Sequence, residues 1–353
     1  MLTIIIGAST VAQAQPAPPF YQDKSNLLVY ADANGALQPV KTVADWEKRR
    51  AHVLANMQRV MGAFPDESKK VPLDVQVLEE KPFPKYVRKK ITFAVEDWDR
   101  VPAYLLVPKN LQGKAPGVLC VHPTYEFGKD IVVGISGKPN RNYAQELAER
   151  GYVALAPDYP GYGDCKETGK TLYDHGYVSA TMKGIWNHMR GVDLLQGLPE
   201  VDPQRIGSIG HSLGGHNALF VGLFDPRVKV MVSSCGFNTF YKYYNGDLTG
   251  WSHNGYMPRI ASVYGKDPAK MPFDFTELLG VLAPRAVFVN APLRDANFEV
   301  SGVRDCIQAA QPVFALYGAD DNLVAIYPDA EHDFPPEARE QAYAFMDQAL
   351  KKK

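Results

Sequence analysis

Ser212 lies at the centre of residues 210–214, Gly-His-Ser-Leu-Gly, which have the form G-x-S-x-G. An apolar run, RIGSIG, precedes the serine, and a helix-like run, LGGHNALFVGLF, follows it. A sharp turn from strand to helix exposes the serine hydroxyl on a strained backbone and leaves room only for very small residues two positions away. The pattern therefore predicts that Ser212 is a nucleophile.

A nucleophilic serine needs a base, and the base needs an acid that orients it. The strand-like segments RAVFVNAP and NLVAIYPDA are followed by Asp295 and His332, respectively. Residues that act in a doubly wound sheet lie beyond the carboxyl ends of its strands. The order Ser212, Asp295, His332 is the order of the α/β-hydrolase triad. We therefore predict that these three residues form a catalytic triad.

Other acids and histidines fit these roles less well. Asp320 and Asp321 precede the last strand and would lie at its opposite end. Asp333 shares the turn of His332, from which it cannot aim at the imidazole ring. His216 lies one helical turn beyond the serine, where we expect it to line or pack the turn.

Acyl transfer also needs N–H donors for the oxyanion. The backbone N–H of Leu213, directly after the serine, is predicted to be one donor. The second is expected in the loop after the strand-like segment GVLCVHP. Pro123 has no N–H, so Thr124 is predicted, with Tyr125 as the alternative.

Residues 237–281 interrupt an otherwise regular chain and are rich in Tyr, Asn, Gly and Trp. Long insertions of this kind form lids or pocket walls. Two interpretations stay open, a pocket for a sugar or aromatic ester and a lid with a small core of its own. The side chains predicted to contact substrate are Tyr125, His211, Tyr244, Trp251, His253 and Tyr256.

The elements that must position these residues alternate between strand and helix. Helical spacing over residues 40–61 predicts an N-terminal helix, and the segments YVRKKITFAV and VPAYLLVP predict an antiparallel hairpin. The later alternation predicts a doubly wound, mostly parallel sheet with helices on both faces. We expect an N-terminal extension with one helix over 15–84 and a catalytic domain over 85–353. The insertion 237–281 would follow the sixth strand.

Composition narrows the classes of partner and the compartment. The net charge of −1 gives no basic surface for nucleic acid. The start, MLTIIIGASTVAQA, is too short for a membrane span and is typical of a signal peptide cleaved near Ala14, which predicts a secreted or periplasmic protein. The four cysteines show no C-x-x-C spacing, and disulfide pairing and oligomeric state stay open.

From about residue 85 to 350 the chain resembles the α/β-hydrolase superfamily. It is most similar to secreted bacterial esterases of the dienelactone-hydrolase and acetyl-xylan-esterase-like branch. The segments that carry this resemblance are VHPTYEFGK, LAERGYVALAPDYPGYGD, GHSLGGH, LAPRAVFVNAPLRDANF and PDAEHDFP. Two positions depart from it, because His122-Pro123 stands where His-Gly is usual and Ser212 stands where dienelactone hydrolases have cysteine.

The resemblance and the triad together predict a serine carboxylester hydrolase that works through an acyl-enzyme. The expected substrates are small-acyl esters, of carbohydrates or of aromatic acids, presented as small molecules or on polysaccharides. No metal or organic cofactor is required, and no nucleotide-binding motif is present in the sequence. The alternatives are a serine peptidase of the prolyl-oligopeptidase type and a catalytically silent binding protein on the same fold.

Overall fold

The computed structural model describes residues 17–351. The predicted signal peptide, residues 1–14, lies outside the described residues. Within 17–351, no helix has both the length and the apolar character that crossing a membrane requires.

The strands form two sheets. A small antiparallel sheet pairs β1 (Val29–Ala31) with β2 (Leu37–Pro39). The main sheet has nine strands, in the order β11-β10-β9-β8-β6-β7-β5-β4-β3. In chain order these are β3 (Gln76–Pro82), β4 (Tyr86–Glu96), β5 (Asp99–Pro108), β6 (Ala115–Val121), β7 (Val153–Pro157), β8 (Val201–His211), β9 (Val228–Ser234), β10 (Ala286–Asn290) and β11 (Leu323–Ile326).

The pairing of the main sheet agrees with the sequence pattern. β4 and β5 form the predicted antiparallel hairpin, and β6 to β11 pair in parallel with one another. Every residue of β6, β7 and β10 is buried, as expected for strands covered on both faces. The predicted doubly wound, mostly parallel sheet is confirmed.

Helices cover both faces of the main sheet. In chain order the described helices are α1 (Val43–Met61), α2 (Tyr143–Glu149), α3 (Lys166–Thr171), α4 (Ala180–Gly197), α5 (Leu213–Phe224), α6 (Arg259–Ser262), α7 (Phe275–Leu282), α8 (Val300–Leu316) and α9 (Pro336–Leu350). One apolar core joins the sheet to α1, α4, α5, α7 and α8, and a second joins its other face to α2 and α9. This arrangement brings the carboxyl ends of β6 and β8 to β11 to one edge.

The predicted N-terminal helix is α1. Thr42 and Asp45 form a capping box at its start, and Gly62 ends it with a positive φ of 101°. On the buried face of α1, Arg49 donates to Glu277 of α7 at 2.6 Å, and both side chains are at most 1% exposed. The extension is therefore tied to the last helix before β10.

Two features differ from the sequence prediction. β3 was not predicted, because its sequence QVLEEKP shows no apolar alternation and all seven residues are exposed at the sheet edge. β3 lies ahead of residue 85, so the main sheet reaches into the predicted extension. It also makes β9 the seventh strand of that sheet, so residues 237–281 follow the seventh strand and not the sixth. The last residues of this segment are helical, because they belong to α7.

Candidate active site

Ser212 occupies the tight turn between β8 and α5. Its backbone has φ 56° and ψ −119°, a positive φ that side chains other than glycine rarely adopt. The Ser212 N–H donates to the Ser234 carbonyl at 2.8 Å, which holds the turn against the end of β9. The strained conformation and the neighbouring elements are those that a nucleophile elbow requires.

The glycines of the pentapeptide are needed for close approach. A Cβ on Gly210 would overlap the carbonyl group of Gly214, and a Cβ on Gly214 would overlap the carbonyl group of Val121 in β6. The start of α5 therefore packs directly on the backbone of the central strands. This is the physical reason for the G-x-S-x-G pattern in this chain.

Asp295 and His332 meet at the same edge of the sheet, beyond β10 and β11. His332 Nδ1 lies 3.0 Å from both carboxylate oxygens of Asp295. Burial opposes ionisation of Asp295, but the bond from His332 and the backbone N–H groups of Phe298 and Asn297 hold its pKa below the ordinary value. An ionised acid thus orients His332 so that Nε2 is left for another partner.

Ser212 and His332 do not hydrogen-bond to each other in the described structure. Catalytic hydrogen bonds are commonly long without substrate and tighten in the complex. Ser212 is part of a cavity wall, and the His332 side chain is 30% exposed. His332 does not line this cavity, but its ring centroid lies 6.0 Å from that of Phe298, which does.

The loop that carries His332 is held by charged and amide side chains. Arg141, which is buried, donates to the His332 carbonyl at 3.1 Å and pairs with Asp333. Asn290, at the end of β10, donates to the Asp333 carbonyl at 3.0 Å. Asp333 is therefore engaged by Arg141, in agreement with its rejection as the triad acid.

Other histidines have structural partners. His122 Nε2 accepts the Tyr159 N–H at 2.9 Å, and its Nδ1 lies 2.7 Å from the Pro123 carbonyl. His175 stacks on Trp98 with ring centroids 3.8 Å apart. These contacts leave His332 as the histidine that faces a carboxylate at the open edge of the sheet.

The predicted oxyanion donors lie beside the serine. Thr124, Ser212 and Leu213 line one cavity, and among the described residues neither the Thr124 N–H nor the Leu213 N–H donates to another backbone or side-chain group. Leu213 is the first residue of α5, so its N–H also carries the positive end of the helix dipole. The alternative donor residue, Tyr125, does not line this cavity.

A buried ion pair fixes the loop that carries Thr124. Lys129 Nζ lies 2.7 Å from Asp158 Oδ2, and the Lys129 N–H donates to Asp158 Oδ1 at 2.8 Å. Both side chains are at most 1% exposed. At the other end of the loop, Thr124 Oγ1 hydrogen-bonds with the Tyr256 hydroxyl at 2.8 Å. The loop is thus tied to the end of β7 and to the insertion.

The cavity at Ser212 has a volume of about 280 Å³. Larger clefts of about 900 and 1260 Å³ are lined by residues between 17 and 59, the first of them also by residues of the insertion, α7 and α8, and neither is lined by a predicted triad residue. The smaller cavity is the candidate site, because the predicted nucleophile and oxyanion donors line it, and its walls are mostly aromatic and polar. Its lining residues are Thr124, Ser212, Leu213, His216, Tyr243, Gly250, Trp251, His253, Tyr256, Asn297 and Phe298.

The predicted substrate contacts divide into two groups. Trp251, His253 and Tyr256 line the cavity, as the sequence indicated. Tyr125, His211 and Tyr244 are absent from the lining, so their contact with substrate stays a prediction. His211 is only 1% exposed and packs behind His332 with ring centroids 4.8 Å apart. Tyr244 is 55% exposed and turns outward, where its hydroxyl contacts Asn297 Oδ1 at 3.1 Å.

Five lining residues were not predicted as substrate contacts, namely His216, Tyr243, Gly250, Asn297 and Phe298. His216 could have been predicted as a lining residue, because it lies one helical turn after the serine. Asn297 and Phe298 belong to the segment LRDANF, whose backbone N–H groups bind Asp295 at 2.8 and 3.0 Å. These hydrogen bonds to Asp295 thus place Asn297 and Phe298 in the cavity wall.

The cavity wall carries no cation among the described lining residues. Burial lowers the pKa of His216 to about 3 and also lowers the pKa of His253, so both rings are neutral at neutral pH. No lysine or arginine is among the lining residues. The cavity therefore suits an uncharged group with hydroxyls or a short acyl chain better than a free carboxylate.

Comparison with known proteins gives one family match and several relatives. The family model described as glucuronyl esterase of fungi matches residues 163–318. A protein of Bacillus subtilis (strain 168) named as a hydrolase, YtaP, is 26% identical over 85% of this chain and 100% of its own length. The 4-O-methyl-glucuronoyl methylesterase 1 of Sodiomyces alcalophilus is 25% identical over 46% of this chain and 36% of its own length.

Among solved structures, a glucuronoyl esterase from Solibacter usitatus superposes with a TM-score of 0.72. The superposition covers 98% of this chain and 100% of that one, with 21% sequence identity. At this identity the likeness shows the fold. The predicted resemblance to esterases of the α/β-hydrolase type is confirmed. The chain therefore has an α/β-hydrolase fold, and its relatives support an enzyme of the esterase type.

Proposed function

We propose that the protein hydrolyses carboxylic esters of carbohydrates through an acyl-enzyme on Ser212. The observation that carries this proposal is the arrangement of three elements in and beside one small cavity, with the histidine ring next to the lining residue Phe298. They are a serine on a strained strand-to-helix turn, a histidine held by a buried carboxylate, and two N–H groups without protein partners. Each has a necessary role in acyl transfer.

The first half of the reaction forms the acyl-enzyme. Ser212 Oγ attacks the ester carbonyl carbon while His332 Nε2 takes the hydroxyl proton. Asp295 stabilises the imidazolium that results, and the N–H groups of Leu213 and Thr124 bind the oxyanion. When the tetrahedral intermediate collapses, the ester C–O bond breaks and His332 returns the proton to the departing alcohol.

The second half releases the acid. Water attacks the acyl-enzyme and His332 takes its proton; the bond from the acyl carbon to Ser212 Oγ then breaks as His332 returns the proton to that oxygen. The acid leaves as a carboxylate at neutral pH. Because the cavity wall has no lysine or arginine, it offers this anion no ion pair, and product release is favoured.

The nature of the ester follows from the relatives and from the cavity. The family model and two relatives are named for glucuronoyl esters, in which the sugar is the acid part. A uronoyl group is uncharged when esterified, which fits the neutral wall of Trp251, His216 and Tyr256. A volume of about 280 Å³ also admits short acyl groups such as acetyl, so acetylated carbohydrates are the second candidate.

The test is a panel of esters with wild type and Ser212→Ala. The panel contains a methyl ester of glucuronic acid, acetylated xylo-oligosaccharides, p-nitrophenyl acetate and decanoate, and a prolyl peptide anilide. We expect turnover of the uronoyl or acetyl esters and loss of at least about a thousandfold in the variant. Ser208→Ala is the matched control, because Ser208 lies in the same strand and its hydroxyl only donates to the Ala218 carbonyl at 2.8 Å.

Each contrary result has its own meaning. Cleavage of the anilide alone would establish the peptidase alternative. No turnover, together with no labelling of Ser212 by a fluorophosphonate, would favour a silent binding protein. Ester turnover that survives in Ser212→Ala would contradict the proposed nucleophile.

A further inference from the structure

Three metal-binding side chains converge directly behind the proposed triad. One ring nitrogen each of His211 and His332 and the Sγ of Cys235 all lie within 4.8 Å of one another. They come from the end of β8, from the residue after β9 and from the loop after β11. The proposed reaction uses only His332, so it leaves the roles of His211 and Cys235 unexplained.

His211 has a nitrogen without a partner. The residue is 1% exposed, and its Nε2 is buried with no hydrogen bond to the described residues. Its Nδ1 lies 2.9 Å from Ser234 Oγ. In the tautomer that carries the proton on Nδ1, this nitrogen donates to Ser234 Oγ. Nε2 then carries a free lone pair, which is the form that binds metals.

Cys235 is held in position by its backbone and by weak hydrogen bonds to its sulfur. Its φ is 48°, a positive value for a residue with a side chain. The Sγ lies 3.2 Å from the Asp333 carbonyl, to which the thiol donates. Burial, with Asp295 nearby, raises the pKa of this thiol well above its ordinary value, so without a metal it is a neutral thiol.

We propose that His211, Cys235 and His332 bind a thiophilic divalent cation of the zinc class and that the bound cation inhibits hydrolysis. Two imidazoles and one thiolate are ligands preferred by Zn²⁺, Cd²⁺ and Co²⁺, whereas Mg²⁺ and Ca²⁺ prefer oxygen. Zinc bonds of about 2.0 to 2.3 Å require the three atoms to approach by roughly 1 Å. The thiol proton is released to solvent, and the Asp295 carboxylate stabilises the added positive charge.

Inhibition follows from the identity of one ligand. A cation on His332 occupies the lone pair that must take the Ser212 proton, or turns the ring away from the serine. The inhibition rests on the proposed function, but the binding does not. The two can therefore be measured separately.

The first experiment measures binding in Ser212→Ala, which cannot turn over substrate by the proposed route. Cd²⁺ or Co²⁺ is added, and the charge-transfer absorption of a metal thiolate is recorded. We expect one equivalent to give the band, Cys235→Ser to abolish it and Cys165→Ser to retain it. Cys165 is the matched control, because it is likewise 3% exposed but lies at α3, and the cysteines of the described residues are all free thiols.

A second variant guards against misfolding of Cys235→Ser. His211→Gln keeps the thiol and removes one nitrogen ligand, so we expect the band to persist with an affinity at least about tenfold weaker. No band in Ser212→Ala, or an unchanged band in Cys235→Ser, would overturn the proposed site. This binding experiment tests the proposed metal site even if no ester substrate is found.

The second experiment measures inhibition of the wild-type enzyme. We expect micromolar Zn²⁺ to inhibit ester hydrolysis, EDTA to reverse it and Mg²⁺ to have no effect. Relative to its own uninhibited rate, Cys235→Ser should need at least about tenfold more zinc for half-inhibition. Binding without inhibition would refute the inhibitory role, and equal inhibition of wild type and Cys235→Ser would show that zinc acts elsewhere.

Discussion

The two sides of the cavity are built in different ways. The catalytic edge, which consists of Ser212, Asp295, His332 and the Thr124 loop, is held by backbone geometry, hydrogen bonds and buried charge. The opposite wall comes from the insertion and is held by aromatic packing. Trp251 alone packs against six rings with centroids 4.8 to 6.1 Å away, those of His216, Phe240, Tyr243, Tyr256, Phe275 and Phe298.

This difference between a hydrogen-bonded edge and an aromatic wall predicts how each side of the cavity tolerates substitution. At the catalytic edge each polar group has defined hydrogen-bond or ion-pair partners and one proposed role, so removal of one group should abolish a step of the reaction. In the aromatic wall many contacts share the packing, so a conservative change should alter which ester is preferred and leave the chemistry in place. Four substitutions test this contrast.

The largest effect is expected at the triad acid. Asp295→Asn keeps the shape of the side chain but reverses its role toward His332 Nδ1, because an amide N–H can now face the ring and favour the wrong tautomer. We expect kcat to fall by about 10³ to 10⁴ with a nearly unchanged KM. Steady-state hydrolysis of the best ester in the panel measures both constants.

The control for this change is Asp320→Asn. Asp320 is exposed in the short turn before β11, and it was rejected as the acid because it lies at the other end of that strand. Its substitution should leave kcat within about twofold of the wild type. A kcat above about a tenth of the wild-type value in Asp295→Asn would contradict the assigned acid.

The second effect concerns the charge beneath the oxyanion loop. Lys129→Met removes the cation that pairs with Asp158, whose side chain is 0% exposed, and leaves a buried carboxylate without its counter-ion. We expect the free energy of unfolding to fall by about 3 to 5 kcal/mol, measured by urea denaturation. The loop that carries Thr124 should also loosen and lower kcat for esters.

Two variants separate the buried pair from simple loss of a lysine. Lys90→Met removes a partly exposed lysine that contacts Asp164 at 2.9 Å, and it should cost less than about 1 kcal/mol. In the double variant Lys129→Met, Asp158→Asn the buried charge is gone, so part of the lost stability should return. Equal losses in Lys129→Met and Lys90→Met would contradict the role of the buried pair.

The catalytic edge could be predicted from the sequence for a physical reason. Parallel strands end at one edge of a sheet, so a residue that follows a predicted strand has a predictable place. Ser212, Asp295 and His332 each follow such a strand, and the structure brings Asp295 and His332 into contact. The assignment of catalytic roles to them remains a prediction for the experiments above.

The aromatic wall could not be predicted residue by residue, because residue type does not determine orientation in irregular chain. Tyr243 and Tyr244 are neighbours of the same type, yet Tyr243 is 7% exposed and lines the cavity while Tyr244 is 55% exposed. His211 and His216 flank the same serine, and only His216 reaches the cavity. β3 escaped prediction because an exposed edge strand needs no apolar alternation.

The third effect tests the aromatic wall. Trp251→Phe keeps a ring but removes the indole N–H, which is buried without a hydrogen-bond partner among the described residues. We expect KM for the carbohydrate ester to rise by about three- to tenfold, because a sugar hydroxyl loses a donor. Hydrolysis of p-nitrophenyl acetate should stay nearly constant, since it presents no hydroxyl.

Tyr241→Phe is the control for this substitution, because Tyr241 belongs to the insertion, is 53% exposed and does not line the cavity. Tyr241→Phe should change the hydrolysis of neither substrate. If Trp251→Phe lowered kcat for both esters equally, the aromatic wall would be part of the catalytic edge and the contrast between the two sides would fail.

The smallest effect concerns the carboxyl group that closes the insertion on itself. Asp274 caps α7 and accepts the Phe240 N–H at 3.0 Å, so it joins the two ends of the segment. Burial, reinforced by Glu277, raises the pKa of Asp274 to about 7 against the backbone N–H groups of Phe240 and Phe275. The folded state therefore binds a proton more tightly here than the unfolded chain does.

The sign of the pH dependence follows from this raised pKa. The contribution of Asp274 to stability is full at low pH and is lost as the pH rises through about 7, because the unfolded carboxyl titrates at about 4. Relative to Asp274→Asn, which cannot ionise, the wild-type free energy of unfolding should fall by on the order of 1 kcal/mol between about pH 6 and pH 8. Urea denaturation at several pH values measures this fall.

Asp247→Asn is the matched control, since Asp247 caps another short helix of the insertion but is exposed. Its curve of unfolding free energy against pH should run parallel to that of the wild type. Parallel curves for Asp274→Asn and wild type would mean that Asp274 is ionised when folded, and that the insertion is closed by an ion pair with a neighbouring cation such as Lys24 in place of a shared proton.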